Sequence, residues 1–67
     1  MIQIVVNGDA RETNDGINVV ALLQELGLNS GRVAIERNRQ ILSREKWSDT
    51  LVQAGDQYEI VQFVGGG

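Results

Sequence analysis

The chain contains the stretch Asn18-Val19-Val20-Ala21-Leu22-Leu23-Gln24-Glu25-Leu26-Gly27, which has the pattern of one short amphipathic helix. At about 100° per residue, its three leucines share a face with Val19. Asn18 stands where an N-cap residue would accept a hydrogen bond, and Gly27 follows the last apolar residue of the pattern, where glycine adopts a left-handed conformation without strain. A helix of about two and a half turns is unstable alone in water, so its leucine face must pack on a sheet.

The segment before the helix predicts the first two strands of that sheet. Residues 1–7 place apolar side chains at every second position, which is typical of a half-buried strand. Asn7-Gly8 favours a tight hairpin because both residues tolerate positive φ. We therefore expect residues 10–13 to return antiparallel to the first strand, as a polar edge strand.

The segment after the helix predicts the rest of the sheet. Residues 32–37 alternate as a third strand, Ile41 and Leu42 form a short pairing fragment, and Ser43 is expected to cap a brief turn over residues 44–47. Residues 58–64 are more apolar than the second strand, so we expect this last strand at the centre, parallel to the first and covered by the helix. This order indicates an α+β fold of the β-grasp type, with a mixed sheet of four to five strands on one helix.

Length and composition restrict the possible functions. A chain of 67 residues is one small domain, whose single core supplies about 3 to 5 kcal/mol. Neither cysteine nor histidine occurs, which removes disulfides, the usual zinc and iron–sulfur sites, thiol nucleophiles and the commonest general base. A net charge of −3 has the wrong sign for nucleic-acid binding. The chain shows neither a long apolar segment nor a signal peptide, so we expect a cytoplasmic protein without a membrane role.

The glycines at positions 65 to 67 are the feature that suggests chemistry. A triglycine buries no side chain and is entropically costly to order, so it is either an inert frayed terminus or a reactive one. In the second interpretation the reactive group is the α-carboxylate of Gly67. Gly65 and Gly66 would then form a thread without Cβ atoms that enters a narrow crevice, and three extended residues span at most about 10 Å. We therefore expect a folded domain over residues 1–64 and a flexible reactive tail over residues 65–67.

Four segments in this order resemble the sulfur carrier proteins of thiamine biosynthesis. They cover nearly the whole chain and comprise residues 19–28, Arg44-Glu45-Lys46-Trp47, residues 55–60 and Phe63-Val64-Gly65-Gly66-Gly67. The resemblance implies a ubiquitin-like β-grasp whose Gly67 is adenylated by an adenylyltransferase of the ubiquitin-activating type, with ATP and magnesium. It further implies that sulfur from a persulfide enzyme converts the adenylate to a thiocarboxylate, which donates its sulfur to thiazole synthase.

In this interpretation the chain is a carrier and not an enzyme, and it binds no cofactor itself. A carboxylate resists nucleophiles because it is negatively charged and lacks a good leaving group, and adenylation removes both obstacles. The required ATP and cationic groups would belong to the partner. Three alternatives stay open, namely a molybdopterin sulfur carrier, a ubiquitin-like modifier conjugated through Gly67, and a β-grasp interaction domain with an inert tail.

The last strand also suggests a docking surface next to the tail. Val61 and Phe63 share one face, and they would stay exposed if the helix covers Tyr58 and Ile60. For Phe63, burial in the core and docking to a partner both remain open. Trp47 is expected to close one end of the core.

Charged side chains give weaker signals. Five of the six basic residues lie between positions 32 and 46, and we expect solvated charges balanced by Glu36 and Glu45, with contact to an acidic partner as the alternative. The aspartates occupy turns, and their spacing matches no metal site. The five basic residues are Arg32, Arg37, Arg39, Arg44 and Lys46.

Overall fold

A computed structural model describes residues 1–28 and 30–63 of the chain. Two short 3₁₀ turns, Ser30–Arg32 and Arg44–Asp49, lie in the connections. The predicted tail, residues 65–67, and the predicted strand residue Val64 lie outside the described residues. The regular elements are β1 (Ile2–Val6), β2 (Asp9–Thr13), α1 (Val19–Glu25), β3 (Val33–Arg37), β4 (Gln40–Ile41) and β5 (Gln57–Gln62).

The five strands form one mixed sheet in the order β2-β1-β5-β3-β4. Strand β5 runs parallel to β1 and antiparallel to β3, and the two hairpin pairs are antiparallel. Asn7 and Gly8 have φ values of 50° and 86°, as a primed hairpin turn requires, and they pair Val6 with Asp9. The predicted mixed sheet with a central last strand and a polar second strand at the edge is confirmed.

Helix α1 packs its leucine face on this sheet, as predicted. The side-chain oxygen of Asn18 accepts a hydrogen bond from the main-chain N–H of Ala21 at 2.9 Å, and Gly27 has a φ of 73°. Trp47 closes the core as expected, and its Nε1 donates to the carbonyl of Leu42 at 3.0 Å. The buried apolar residues are Ile4, Val19, Leu22, Leu23, Val33, Ile35, Trp47, Val52, Tyr58 and Ile60.

The turn after β4 differs from its prediction. The side chain of Ser43 makes no capping hydrogen bond, and its main-chain carbonyl accepts from the N–H of Lys46 at 2.9 Å instead. The turn continues as a 3₁₀ helix to Asp49 and brings Trp47 into the core. The expected Ser43 cap is therefore wrong, because the buried tryptophan, rather than a local side-chain bond, fixes this turn.

The expected solvated charges are confirmed for the exposed Arg32, Arg39, Arg44 and Lys46, but the expectation is wrong for Arg37. Within residues 1–28 and 30–63, neither Glu36 nor Glu45 forms an ion pair. Arg37 is half-buried and pairs with Asp56 at 3.0 Å, because consecutive strand residues point to opposite faces and Arg37 therefore leaves the face that carries Glu36. Arg44 lies over the Trp47 ring, 5.4 Å from its centroid.

Two features that bear on function are absent from the described residues. No helix in residues 1–28 or 30–63 is long and apolar enough to cross a membrane. In the same part of the chain, no three side chains of the metal-binding types come together.

Candidate functional site

Strand β5 leads from the centre of the sheet to the tail. Tyr58 and Ile60 are buried under the helix, whereas Val61 is 57% and Phe63 56% exposed. The main-chain N–H of Phe63 donates to the carbonyl of Arg32 at 2.8 Å, so the chain stays hydrogen-bonded to the start of β3 up to its last described residue before the tail. The core interpretation of Phe63 is therefore wrong. Its docking role stays a prediction.

The Asn7 side chain fixes the middle of β5. Its amide oxygen accepts from the Ile60 N–H at 2.7 Å, and its amide nitrogen donates to the Ile60 carbonyl at 3.1 Å. The ladder between β1 and β5 pairs only Val5 with Gln57 and Val6 with Tyr58. The Asn7 side chain therefore extends the pairing between β1 and β5 beyond Val6, where the main chain of β1 turns into the hairpin.

Asp56 fixes the start of β5. Its Oδ2 accepts hydrogen bonds from the Gln53 main-chain N–H, the Tyr58 hydroxyl and the Arg37 Nε at 2.9, 2.9 and 3.0 Å. Asn38 donates to Oδ1 at 3.3 Å. Asp56 is buried, so this cluster joins the β3–β4 turn to the beginning of the central strand in the interior of the protein.

Burial and hydrogen bonding act in opposite directions on the pKa of Asp56. Burial disfavours the charged carboxylate, but the donors from Gln53, Tyr58, Arg37 and Asn38 favour it and leave the pKa lowered. The folded state is therefore stabilised by this carboxylate at a pH above its unfolded-state pKa of about 3.9. This stabilisation is lost as the pH falls through the lower folded-state pKa. Burial and the neighbouring Asp56 raise the pKa of Tyr58 to about 12.

The face of the sheet opposite the helix carries exposed apolar side chains close to the point where the tail leaves. Ile41 is 82% exposed, and Ala34 is paired with Val61 across β3 and β5. A depression of about 170 Å³ is lined by Ala34, Ile41 and Val61 together with Glu36 and Glu59. Sequence reasoning found Val61 and Phe63 but missed Ile41, although its apolar character next to the turn at residues 38–39 was visible.

The predicted reactive positions Gly65, Gly66 and Gly67 lie outside the described residues. Phe63 nevertheless fixes where the tail begins, since it is bonded to Arg32 at the end of the sheet. Four further residues reach Gly67, and four residues span at most about 14 Å.

A five-stranded mixed sheet with one covering helix, and with the last strand between the first and the third, defines a ubiquitin-like β-grasp domain. In the sequence, the described strands are followed by three glycines at positions 65–67. The chain belongs to the ThiS family, whose sequence model matches residues 4–67. The predicted resemblance to the thiamine-biosynthesis sulfur carriers is thereby confirmed.

Individual relatives agree with this membership. The sulfur carrier protein ThiS of Escherichia coli is 36% identical over 66 residues, which cover 98% of this chain and 100% of that protein. A crystal structure of the thiamine biosynthesis protein ThiS from Geobacter metallireducens superposes with a TM-score of 0.79 at 37% identity, covering 98% of this chain and 100% of the other.

A longer protein is also similar. The thiazole synthase of Paramagnetospirillum magneticum is 42% identical over 66 residues, which cover 98% of this chain and 20% of the synthase. The chain therefore spans about a fifth of the length of that relative.

Proposed function

We propose that this chain is a sulfur carrier of thiamine biosynthesis and that the Gly67 carboxylate carries the sulfur. The observation that supports this best is the match to the ThiS family, because it extends through the glycine tail to residue 67. The similarity to the E. coli sulfur carrier over that protein's whole length gives independent support.

The proposed chemistry begins with adenylation. An oxygen of the Gly67 carboxylate attacks the α-phosphorus of ATP, and pyrophosphate leaves. In the resulting acyl-adenylate, the carboxyl group no longer carries a negative charge that repels a nucleophile, and AMP serves as its leaving group. The outer sulfur of a partner's persulfide attacks the acyl carbon and AMP leaves, which gives an acyl disulfide. A thiol of the partner then attacks the persulfide's inner sulfur, so that the thiocarboxylate leaves and a disulfide remains on the partner. Magnesium and ATP are used by the adenylyltransferase of the ubiquitin-activating type, and not held by this chain.

The contribution of this chain is presentation of the carboxylate. Gly65 and Gly66 have no Cβ atoms, so only backbone enters the partner's crevice. The chain contains neither cysteine nor histidine, so the sulfur nucleophile and any imidazole base come from the partners. The domain therefore acts as a substrate and carrier and not as a catalyst.

Thiazole synthase is the proposed acceptor of the sulfur. Two thiazole synthases, from P. magneticum and Magnetococcus marinus, each contain a region similar to 98% of this chain within a protein about five times longer. A single chain that combines both parts supports a working relation between this kind of domain and the synthase.

Intact-mass analysis tests the proposal. Incubation of the protein with ATP, magnesium, the adenylyltransferase and the persulfide enzyme should replace one oxygen by sulfur in the C-terminal peptide. One alanine added after Gly67 should leave folding unchanged and abolish this product, because the carboxylate is displaced from the reacting position. Thiocarboxylate formation without prior trimming of that alanine would contradict the proposal.

A second variant separates tail access from stability. Gly66→Val places a branched side chain beside the reacting carbonyl but changes no described core residue, so adenylation should fall strongly at an unchanged melting temperature. Asp9→Asn, in the exposed edge strand, is the matched control and should be adenylated normally. Covalent conjugates of Gly67 with lysine, in place of sulfur, would instead identify a protein modifier.

A further inference from the structure

The uncovered face of the sheet contains an apolar surface, which we call the outer patch and which consists of Ala34, Ile41, Val61 and Phe63. All four side chains are exposed in this small domain, and Ile41 is exposed by 82%. Ala34, Ile41 and Val61 line one depression, and an exposed apolar surface of this kind commonly marks a protein interface. The outer patch also reaches Phe63, the last described residue before the proposed reactive tail.

Two glutamates border the outer patch and oppose one another. Glu36 in β3 is the direct register partner of Glu59 in β5, and both side chains are exposed. Like charges at directly opposed positions of an antiparallel pair destabilise a sheet. Within the part of the chain that the structure describes, neither carboxylate forms an ion pair.

This pair lies between two surface depressions. Glu36 and Glu59 line both the apolar depression of about 170 Å³ and a second one of about 340 Å³ that also contains Arg39 and Gln57. A group that approaches the outer patch from solvent therefore meets both carboxylates at its border. A guanidinium has a planar set of donors that can bond two carboxylates at once, which an ammonium does less well.

We propose that the outer patch is the docking surface for thiazole synthase and that an arginine of the synthase binds between Glu36 and Glu59. The identity of the partner rests on the proposed function and on the synthases that contain a similar region. Apolar side chains of the synthase cover Ile41 and Val61, and the arginine neutralises the charge repulsion that the free domain retains. Opposite charges at the border also speed the encounter.

Binding of purified thiazole synthase to the full chain tests this proposal. Glu36→Gln and Glu59→Gln should each raise the Kd about tenfold, because each removes one charge-assisted bond to the arginine. Both should also raise the melting temperature, because they relieve the repulsion, so loss of folding cannot explain the weaker binding. The matched control is Glu12→Gln, whose exposed side chain lies in edge strand β2 and should leave the Kd unchanged.

Salt provides a second measurement. The affinity of the wild-type chain should fall more steeply with ionic strength than that of either variant, since surface charges are screened. Unchanged Kd values in both glutamine variants, or no binding of the wild-type chain to the synthase, would overturn the proposal. Weaker binding that is confined to the adenylyltransferase would overturn it too, by assigning the surface to the other partner.

The mass assay distinguishes failure of this inference from failure of the proposed function. Both glutamine variants should still acquire sulfur at Gly67, because the changes lie outside the tail. If the wild-type chain acquires sulfur but its variants bind the synthase normally, only the docking inference is wrong. If the wild-type chain never acquires sulfur, the proposed function itself is wrong.

Discussion

Asp56 shows how much one buried polar residue contributes in a domain of this size. Its carboxylate accepts bonds from residues on both sides of β4, and the farthest of these, Arg37, is 19 positions away in sequence. The sequence interpretation assigned Asp56 only to a turn. No local pattern could reveal this role, because the partners come together only after β3 and β5 have paired.

Asp56→Asn should lower the free energy of unfolding by about 2 to 3 kcal/mol. The change leaves the half-buried Arg37 without its counter-charge and replaces an acceptor with a donor among groups that already donate. Urea denaturation measures the effect, and Asp49→Asn, in an exposed position, should stay within about 0.5 kcal/mol of wild type. Equal stability of the two variants would refute the structural role of the carboxylate.

Tyr58 should make stability sensitive to alkaline pH. Its pKa is raised to about 12 in the folded protein, whereas an unfolded tyrosine titrates near 10. The stabilisation linked to this raised pKa is therefore complete below about pH 10 and is lost as the pH rises through the folded-state pKa. The free energy of unfolding should fall by roughly 2 kcal/mol in this interval. The stability difference between wild type and Tyr58→Phe should shrink by this amount over the interval.

Direct titration provides the check on Tyr58. The chain contains a single tyrosine, so phenolate absorbance reports this residue alone. A folded protein whose tyrosine titrates near 10 would contradict the hydrogen bond between its hydroxyl and Asp56.

The helices and strands differ in how far the sequence predicts them. Alternation predicted β1 and β3, and the leucine pattern with its Asn18 cap predicted α1, because in each case one face is buried. The apolar content of residues 58–64 predicted β5, which spans Gln57–Gln62. The turn over residues 44–49 was predicted incompletely, since burial of Trp47 sets it. The chemistry of the tail could be inferred only from its composition and its resemblance to known carriers.

Strand β5 should depend on Asn7 more than on its short ladder with β1. Asn7→Gly permits the observed φ of 50° but removes both bonds to Ile60, so we expect a loss of about 2 kcal/mol. Hydrogen exchange of the Ile60 amide should become faster. Asn7→Asp retains the acceptor and should fall between wild type and the glycine variant. Exchange at the wild-type rate in Asn7→Gly would show that the side chain is dispensable.

The whole molecule is asymmetric, and this asymmetry relates its fold to its proposed function. One face of the sheet is covered by α1 and contains the core. The other carries the outer patch and ends beside the tail. Alternation along β5 placed Val61 and Phe63 on one face but left burial of Phe63 open. The neighbouring Ile41 and the opposed Glu36 and Glu59 required the register of β3, β4 and β5.

Phe63→Ala should weaken complexes with thiazole synthase by about 2 kcal/mol and destabilise the free domain by less than about 1 kcal/mol. The ring is 56% exposed, so its removal leaves little cavity. Leu51→Ala is a suitable control because Leu51 is equally exposed, at 54%, outside the outer patch. An equal loss of affinity in the two variants would mean that Phe63 has no specific docking role.

The central position of β5 also determines when the domain can form during its synthesis. The strand that joins β1 to β3 is the last of the described strands to leave the ribosome, and Asn7 meets Ile60 across 53 sequence positions. Pairing over such a distance requires closure of a long loop, which slows folding. A nascent chain that stops before Gln57 consists of a hairpin, a helix and a second hairpin without the strand between them. Synthesis of β5 is therefore the step that completes the sheet.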